Sequence, residues 1–213
     1  MTFKEHQINK ENNFIGGWYM SPDLCDAILN KAKSIPGFFR WPYSDYYVNN
    51  YLSQLDNSLF TEYVEQLNKV CSLYVDKYKF CSQNVKFRLT TFKDVPEKII
   101  NNANDPLLKF QKYYPGKSYY NYHSEFDGIT AGVIKRRHLA TMTYLNDITD
   151  AGGTEFYYQN FTCKPEKGLT LIWPVQWTHT HKGIPSPTEY KYIITGWYVF
   201  DENLKKNGFE VQE

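Results

Sequence analysis

The chain has 213 residues, 42% of them hydrophobic and 22% charged, which is the size and composition of a single soluble globular domain. A net charge of +1 gives no electrostatic footprint for nucleic acid or an anionic membrane surface. No apolar run of ~18 residues exists to span a bilayer, and the opening Met-Thr-Phe-Lys-Glu-His has no apolar signal segment. Aromatic residues are abundant, with 19 Tyr, 14 Phe and 5 Trp, and such side chains favour strands. The four cysteines, Cys25, Cys71, Cys81 and Cys163, form no CxxC pair. They are expected as free thiols in a reducing, intracellular (cytoplasmic) compartment.

In chain order, residues 1–12 are polar, and Phe14 to Met20 reads as a first extended segment. Ser21-Pro22-Asp23 is a helix start: a hydroxyl cap, a proline at the first helical position and an acid in the first turn. Leu24, Ile28, Leu29, Ala32 and Ile35 follow at helical spacing until Pro36-Gly37. Residues 38–56 show no period. Asn57 to Phe80 carries apolar residues at the 3.6-residue period and predicts a second helix with one buried face. A strand is predicted over 85–92 and a loop over 94–105, the latter a candidate lid. From Leu107 onward the pattern predicts strands at 107–114, 119–124, 138–146, 154–158, 168–174, 177–181 and 190–200, separated by turns such as Pro115-Gly116 and Gly152-Gly153. The expectation is an α+β, mainly β fold: a jelly roll, with the N-terminal helices packed on one sheet. It is expected as a single domain over 1–213, with 1–106 a helical support region and 107–200 the jelly-roll core.

Chemistry concentrates between Tyr114 and Phe200. His123-x-Glu125 on a strand would present an imidazole and a carboxylate to one ion, because i and i+2 share a face. His179 or His181 is available as a third ligand, and Asp127 is an alternative carboxylate. Two His and one carboxylate suit a non-haem Fe(II) centre with open positions, and also Zn(II); the spacing does not choose between them. His6 has no assigned role, and His138 is expected to be structural or exposed. Arg136 and Arg137 are expected as a solvated charge run, with contact to an anionic substrate as the alternative.

The pieces of this stretch occur in a familiar order. Tyr114-Pro115-Gly116 precedes His123-x-Glu125; Thr143-Tyr144-Leu145-Asn146, Gly152-Gly153-Thr154-Glu155-Phe156, Leu171-Ile172-Trp173-Pro174 and Lys191-Tyr192-Ile193-Ile194-Thr195-Gly196-Trp197 follow. Together they resemble the 2-oxoglutarate- and Fe(II)-dependent dioxygenases of the prolyl 4-hydroxylase type, over about 90 residues. The resemblance implies a double-stranded β-helix, with Fe(II) and 2-oxoglutarate as metal and co-substrate and ascorbate as an accessory reductant. It implies metal ligation by His123, Glu125 and a distal histidine. The family's basic residue lies nine or ten positions after that histidine; Lys191 is ten after His181 and twelve after His179, so His181 is preferred. Lys191 would then pair with the far carboxylate of 2-oxoglutarate, with Thr195, Tyr114 and Tyr144 as further co-substrate contacts. Lys191, Ile193, Thr195 and Trp197 alternate onto one face of their strand.

Glu125 departs from the family's usual aspartate by one methylene, so its carboxylate must fold back to reach the same ion. The reaction implied is hydroxylation of an unactivated C–H, most naturally of a prolyl residue in a peptide or protein. A free amino acid, another small molecule or a modified base are other candidate substrates. The competing readings are a Zn(II) hydrolase on the same barrel and a non-catalytic jelly-roll binding module. Neither needs an oxoacid clamp such as the Lys191 strand.

Overall fold

The computed structural model describes residues 2–8, 13–39, 47–79, 87–91, 106–126 and 137–200. The expected loop over 94–105, Asp127, Arg136 and Cys81 lie outside the described residues. The elements are β1 (Gly16–Tyr19), α1 (Pro22–Ser34), β2 (Tyr47–Tyr51), α2 (Asn57–Tyr78), β3 (Phe87–Leu89), β4 (Lys109–Tyr113), β5 (Arg137–Tyr144), β6 (Thr154–Phe156), β7 (Phe161–Cys163), β8 (Leu169–Pro174), β9 (His181–Gly183) and β10 (Lys191–Phe200).

Both helices begin where their cap residues dictate. The Ser21 hydroxyl accepts from the Leu24 amide at 3.3 Å, and the Asp56 carboxylate accepts from the amides of Ser58 and Leu59 at 3.0 and 3.3 Å. α1 stops before Pro36, and α2 ends on Lys79 in the left-handed region, its amide returning to the Val75 carbonyl.

The strands form two antiparallel sheets. The larger runs β1-β8-β5-β10-β4-β2, with β3 paired to the C-terminal end of β10; the smaller runs β7-β6-β9. β5 and β10 are the centre of the larger sheet and are buried on both faces. On one face, Leu139, Ile194 and Tyr198 join a core with Ile28, Tyr63, Leu67 and Val70 of the two helices. There the Tyr63 hydroxyl hydrogen-bonds Thr143 at 2.8 Å, and the Tyr198 hydroxyl donates to the Leu67 carbonyl at 3.1 Å. The opposite face contributes Ala140, Met142, Tyr144, Leu171, Trp173 and Ile193 to a second core, shared with Phe156 and Cys163 of the smaller sheet. The site lies in this space between the sheets.

Three expectations need correction. Residues 119–124 are not a strand: the segment from Ser118 to His123 runs beside β9 with a single β-bridge, His123 to His181. Residues 177–181 are not one strand either, because Trp177–His179 makes a 3-10 turn before β9 begins at His181. β2 and β7 are strands without a predicted counterpart. β2 pairs with β4, more than 50 residues away, and β7 is three residues long in a local hairpin with β6, so neither leaves a periodic signal of its own. Cys25, Cys71 and Cys163 are free and buried, and no helix among the described residues is long and apolar enough to cross a membrane.

Candidate metal centre and co-substrate cavity

Between the sheets lies a cavity of about 530 Å³. His123, Glu125 and His181 stand on its wall with one donor atom each, all within 4.8 Å of one another. Nε2 of His123 is 3.7 Å and Nε2 of His181 is 3.6 Å from the same oxygen, Oε1 of Glu125.

Backbone pairing brings the two histidines together across a large gap in sequence. The His123 amide donates to the His181 carbonyl at 3.0 Å and the His181 amide returns to His123 at 2.9 Å, while the Gly183 amide donates to Tyr119 at 2.8 Å. Each imidazole is held by its far nitrogen. Nδ1 of His123 lies 3.0 Å from the Asn121 carbonyl, and Nδ1 of His181 lies 2.9 Å from the His179 carbonyl. A carbonyl only accepts, so each Nδ1 carries the proton and each Nε2 lone pair faces the other and the carboxylate. That is the tautomer a metal ligand requires.

Glu125 is oriented by its second oxygen. Trp197 Nε1–H donates to Oε2 at 2.8 Å, and an Arg137 guanidinium nitrogen stands 3.9 Å from the same atom. The Arg137 guanidinium lies flat on the Trp197 ring, 3.7 Å from its centroid. Arg137 is therefore buried, contrary to the solvated role expected for it. Burial alone would raise the Glu125 pKa, but hydrogen bonding and charge from His123 and His181 outweigh it and hold the carboxyl well below its ordinary range. Burial likewise opposes charging of His123, and Glu125 overcomes it and raises that pKa. The Glu125 carboxyl is thus held in its ionised form, the form that ligates a metal. Trp197→Phe keeps an aromatic ring there and removes the indole N–H that donates to Oε2. It is expected to weaken binding of Mn(II), measured calorimetrically as an oxygen-stable surrogate, by about 10-fold.

His179 faces elsewhere. Its Nε2 lies 2.9 Å from the Asn13 carbonyl and its Nδ1 lies 3.0 Å from the Thr178 hydroxyl. Burial lowers its pKa, which suits a neutral, internally paired imidazole. A regular strand over 177–181 would turn it to the face of His181, but the 3-10 turn interrupts that strand. His179→Ala is expected to leave Mn(II) affinity intact and to cost about 1–3 kcal/mol of stability in a denaturant melt, by leaving the Asn13 carbonyl unpaired. His181→Ala is expected to do the reverse, losing the metal.

Lys191, at the start of β10, lines the same cavity and is 4% exposed. Its Nζ donates to the carbonyls of Gly152 at 3.1 Å and Ile184 at 3.3 Å and lies 4.8 Å from the Tyr113 ring centroid. Burial lowers its pKa to about 7. The Gly152-Gly153 turn supplies one of those carbonyls. Gly152 has a φ of +72°, and a Cβ on Gly153 would stand 2.3 Å from the Cys163 carbonyl oxygen, so both positions demand glycine.

Ile193, Thr195 and Trp197 line the cavity beyond Lys191, as their alternation predicts. The two tyrosines expected there do not. Tyr114 is exposed and packs against Tyr190, on the opposite face of the chain from Tyr113. Tyr144 is buried, its hydroxyl hydrogen-bonded to Thr154 at 2.7 Å, and it is not part of the cavity wall. The cavity instead takes Tyr113 and Tyr47, whose rings stack at 4.9 Å, together with Gln111, Tyr119, Arg137 and Trp173. The signal for Tyr113 was the register of β4 against β10, which sets it opposite Lys191; a single sequence does not display that register.

Residues 108–199 match the model of the 2OG-Fe(II) oxygenase superfamily. That stretch is somewhat less than half of the chain, and over it the chain is similar to this superfamily. The match, together with the His123, Glu125 and His181 cluster, supports a 2-oxoglutarate-dependent oxygenase that uses Fe(II). Among solved structures, the chain is similar to the viral collagen prolyl hydroxylase of Paramecium Bursaria Chlorella virus-1 in its 2-oxoglutarate complex. That likeness has a TM-score of 0.60 at 16% identity and covers 89% of this chain and 97% of the viral one. A Pseudomonas putida prolyl-4-hydroxylase is similar with a TM-score of 0.61 at 15% identity, covering 88% and 93% of the two chains. A prolyl 4-hydroxylase from Phytophthora capsici matches all of this chain and 73% of its own, with a TM-score of 0.55 at 14% identity. At these identities the likeness is one of fold. No curated protein matches the chain.

Proposed function

We propose that the chain hydroxylates a prolyl residue in a peptide or protein, with Fe(II) held by His123, Glu125 and His181 and 2-oxoglutarate anchored by Lys191. The observation that carries the reading is the convergence of the two Nε2 lone pairs and the Glu125 carboxylate on one point in the cavity, with Lys191 a separate buried cation on its wall. The donor set fits the metal: two neutral imidazoles and one carboxylate leave positions open for an oxoacid and O2. The two antiparallel sheets are read as the halves of a double-stranded β-helix, and residues 1–213 as one domain whose helices back the larger sheet. The proline in the substrate is taken from the prolyl hydroxylases that share the fold.

The iron centre supplies O2 activation: 2-oxoglutarate, O2 and a substrate C–H give succinate, CO2 and C–OH. The chain's residues do the positioning. His123 and His181 hold their lone pairs inward because their Nδ1 protons are committed to backbone carbonyls. Trp197 and Arg137 turn the longer Glu125 side chain back toward the histidines, which lets a glutamate serve where an aspartate is usual. Lys191 offers a point charge to the distant carboxylate of the co-substrate, and Thr195 lies four residues further along the same face. Tyr113 and Tyr47 wall off that end from water, which strengthens the ion pair there.

Succinate release from 2-oxoglutarate, with Fe(II) and ascorbate present, tests the reading. The expected result is turnover stimulated by a Pro-containing peptide, with hydroxyproline in the product, and loss of both in His123→Ala. Binding of Zn(II) without Fe(II) or 2-oxoglutarate would exclude it.

A further inference from the structure

On the helix-bearing face of the larger sheet, two ammonium groups stand among aromatic rings. Lys112 Nζ lies 4.7 Å from the ring centroid of Tyr190, 5.0 Å from that of Tyr114 and 5.2 Å from that of Phe39. Lys33, in the last turn of α1, has its Nζ 5.3 Å from the ring centroid of Tyr192. Strand alternation accounts for the grouping. Tyr113 and Lys191 pair across β4 and β10 and face the cavity. Their neighbours Lys112 and Tyr192, the next pair in that register, therefore face the other way.

These lysines differ from a solvated charge on a surface. Among the described residues neither ammonium has a carboxylate partner, and the contacts of both are ring faces. Glu189, beside Tyr190 in the chain, is turned instead to the amide and hydroxyl of Thr149, at 2.8 and 2.7 Å. Burial, and then the charge of Lys33, lower the Lys112 pKa, so the two cations feel one another. The phenols are grouped as well: burial, then Tyr190 and Tyr114, raise the pKa of Tyr192. Tyr190 is 44% and Tyr114 39% exposed, which leaves their edges and hydroxyls open to a ligand.

Like charges gathered without an anion repel, and a ligand of opposite charge relieves the repulsion. A dianion matches two ammonium groups better than a single carboxylate does. Phosphoryl oxygens accept from ammonium N–H and from phenol O–H alike. The exposed rings beside the charges offer a flat partner a surface to pack on. Two cations are too few to hold a nucleic-acid strand, whose binding requires a series of phosphate contacts.

We propose that Lys112, Lys33, Tyr114 and Tyr190 form a binding site for a small phosphate monoester that carries a flat ring, such as an aryl phosphate or a nucleoside monophosphate. None of these residues lines the cavity, so the site stands whether or not the chain hydroxylates proline. It lies back to back with the cavity, on the opposite face of the strands that carry Tyr113 and Lys191.

Calorimetric titration of the full chain with phenyl phosphate, inorganic phosphate and benzoate tests the site without turnover. Phenyl phosphate is expected to bind at least about tenfold more tightly than either of the others, because it alone joins a dianion to a ring. Lys112→Gln is expected to weaken it by at least about tenfold, and Lys33→Gln to weaken it too, whereas Lys112→Arg keeps the charge and is expected to retain binding. Tyr114→Ser combined with Tyr190→Ser is expected to erase the advantage over inorganic phosphate. Lys191→Met is expected to leave phenyl phosphate affinity unchanged, which separates this site from the cavity. Adenosine 5′-monophosphate, titrated alongside, tells the sources apart: whichever of the two monoesters binds more tightly names the ring, and either order supports the site. Equal binding of all three anions, as an adventitious ion only would show, an affinity that survives Lys112→Gln, or its loss in Lys191→Met would each overturn the proposal.

Discussion

Lys191→Met is expected to abolish 2-oxoglutarate binding and, at the same time, to raise the melting temperature. Lys191 is almost wholly buried, its charge is met among the described residues by carbonyls and a ring, and its pKa falls to about 7 from 10.5. A depression of that size corresponds to about 5 kcal/mol of cost for keeping the side chain buried below pH ~7. Methionine fills similar space without that cost, but it leaves two carbonyls without a donor, so the net gain expected is about 2 kcal/mol, or ~4–8 °C. Because the unfolded lysine binds a proton that the folded one does not, stability of the native protein rises with pH between ~7 and ~10.5. The advantage of the methionine variant is therefore largest below pH ~7 and shrinks above it. Co-substrate affinity should fall by more than about 100-fold, read by titration of 2-oxoglutarate into the Mn(II)-loaded protein, with Mn(II) affinity unchanged. In the wild type, binding the anion requires the protonated amine, so affinity should weaken toward tenfold per pH unit above ~7. A pH-independent affinity, or a variant that binds 2-oxoglutarate normally, would remove Lys191 from this role.

Glu125→Ala is expected to eliminate Fe(II)-dependent turnover, by at least about 10³-fold, with Mn(II) affinity falling by a similar factor. Its carboxylate is the one group that both histidines face, and it is the only acid in the described part of the cavity wall. Glu125→Asp should retain part of the activity. A shorter side chain approaches the histidines less folded, but it draws the carboxylate away from Trp197 Nε1, which now orients it. Glu125 also raises the His123 pKa, so protons compete with the metal as the solution is acidified, and Mn(II) affinity should decline as pH falls through the His123 titration. In Glu125→Ala that competition should shift to lower pH. Full metal affinity in Glu125→Ala would show that another group carries the charge.

The local signals in the chain were strong where short-range physics governs. The caps at Ser21 and Asp56 and the apolar periods of α1 and α2 depend on neighbours within a turn, and those helices form where the sequence places them. The order of chemistry-bearing residues, His123-x-Glu125, His181 and the Lys191 strand, was equally legible, as was the alternation that turns Lys191, Ile193, Thr195 and Trp197 into the cavity. What stayed hidden depends on pairing between distant segments. A strand period assumed for 119–124 and 177–181 would put His179 and His181 side by side; the 3-10 turn at Trp177–His179 sends one imidazole to Asn13 and the other to Glu125. A one-residue difference in β4 exchanges Tyr114 for Tyr113, because successive side chains on a strand face opposite ways and only the register against β10 says which way is in. Sequence alone thus determined which donors the protein owns and the order in which they come. The tertiary structure decided which of them point at one another, since that direction is set by backbone hydrogen bonds between segments some 60 residues apart.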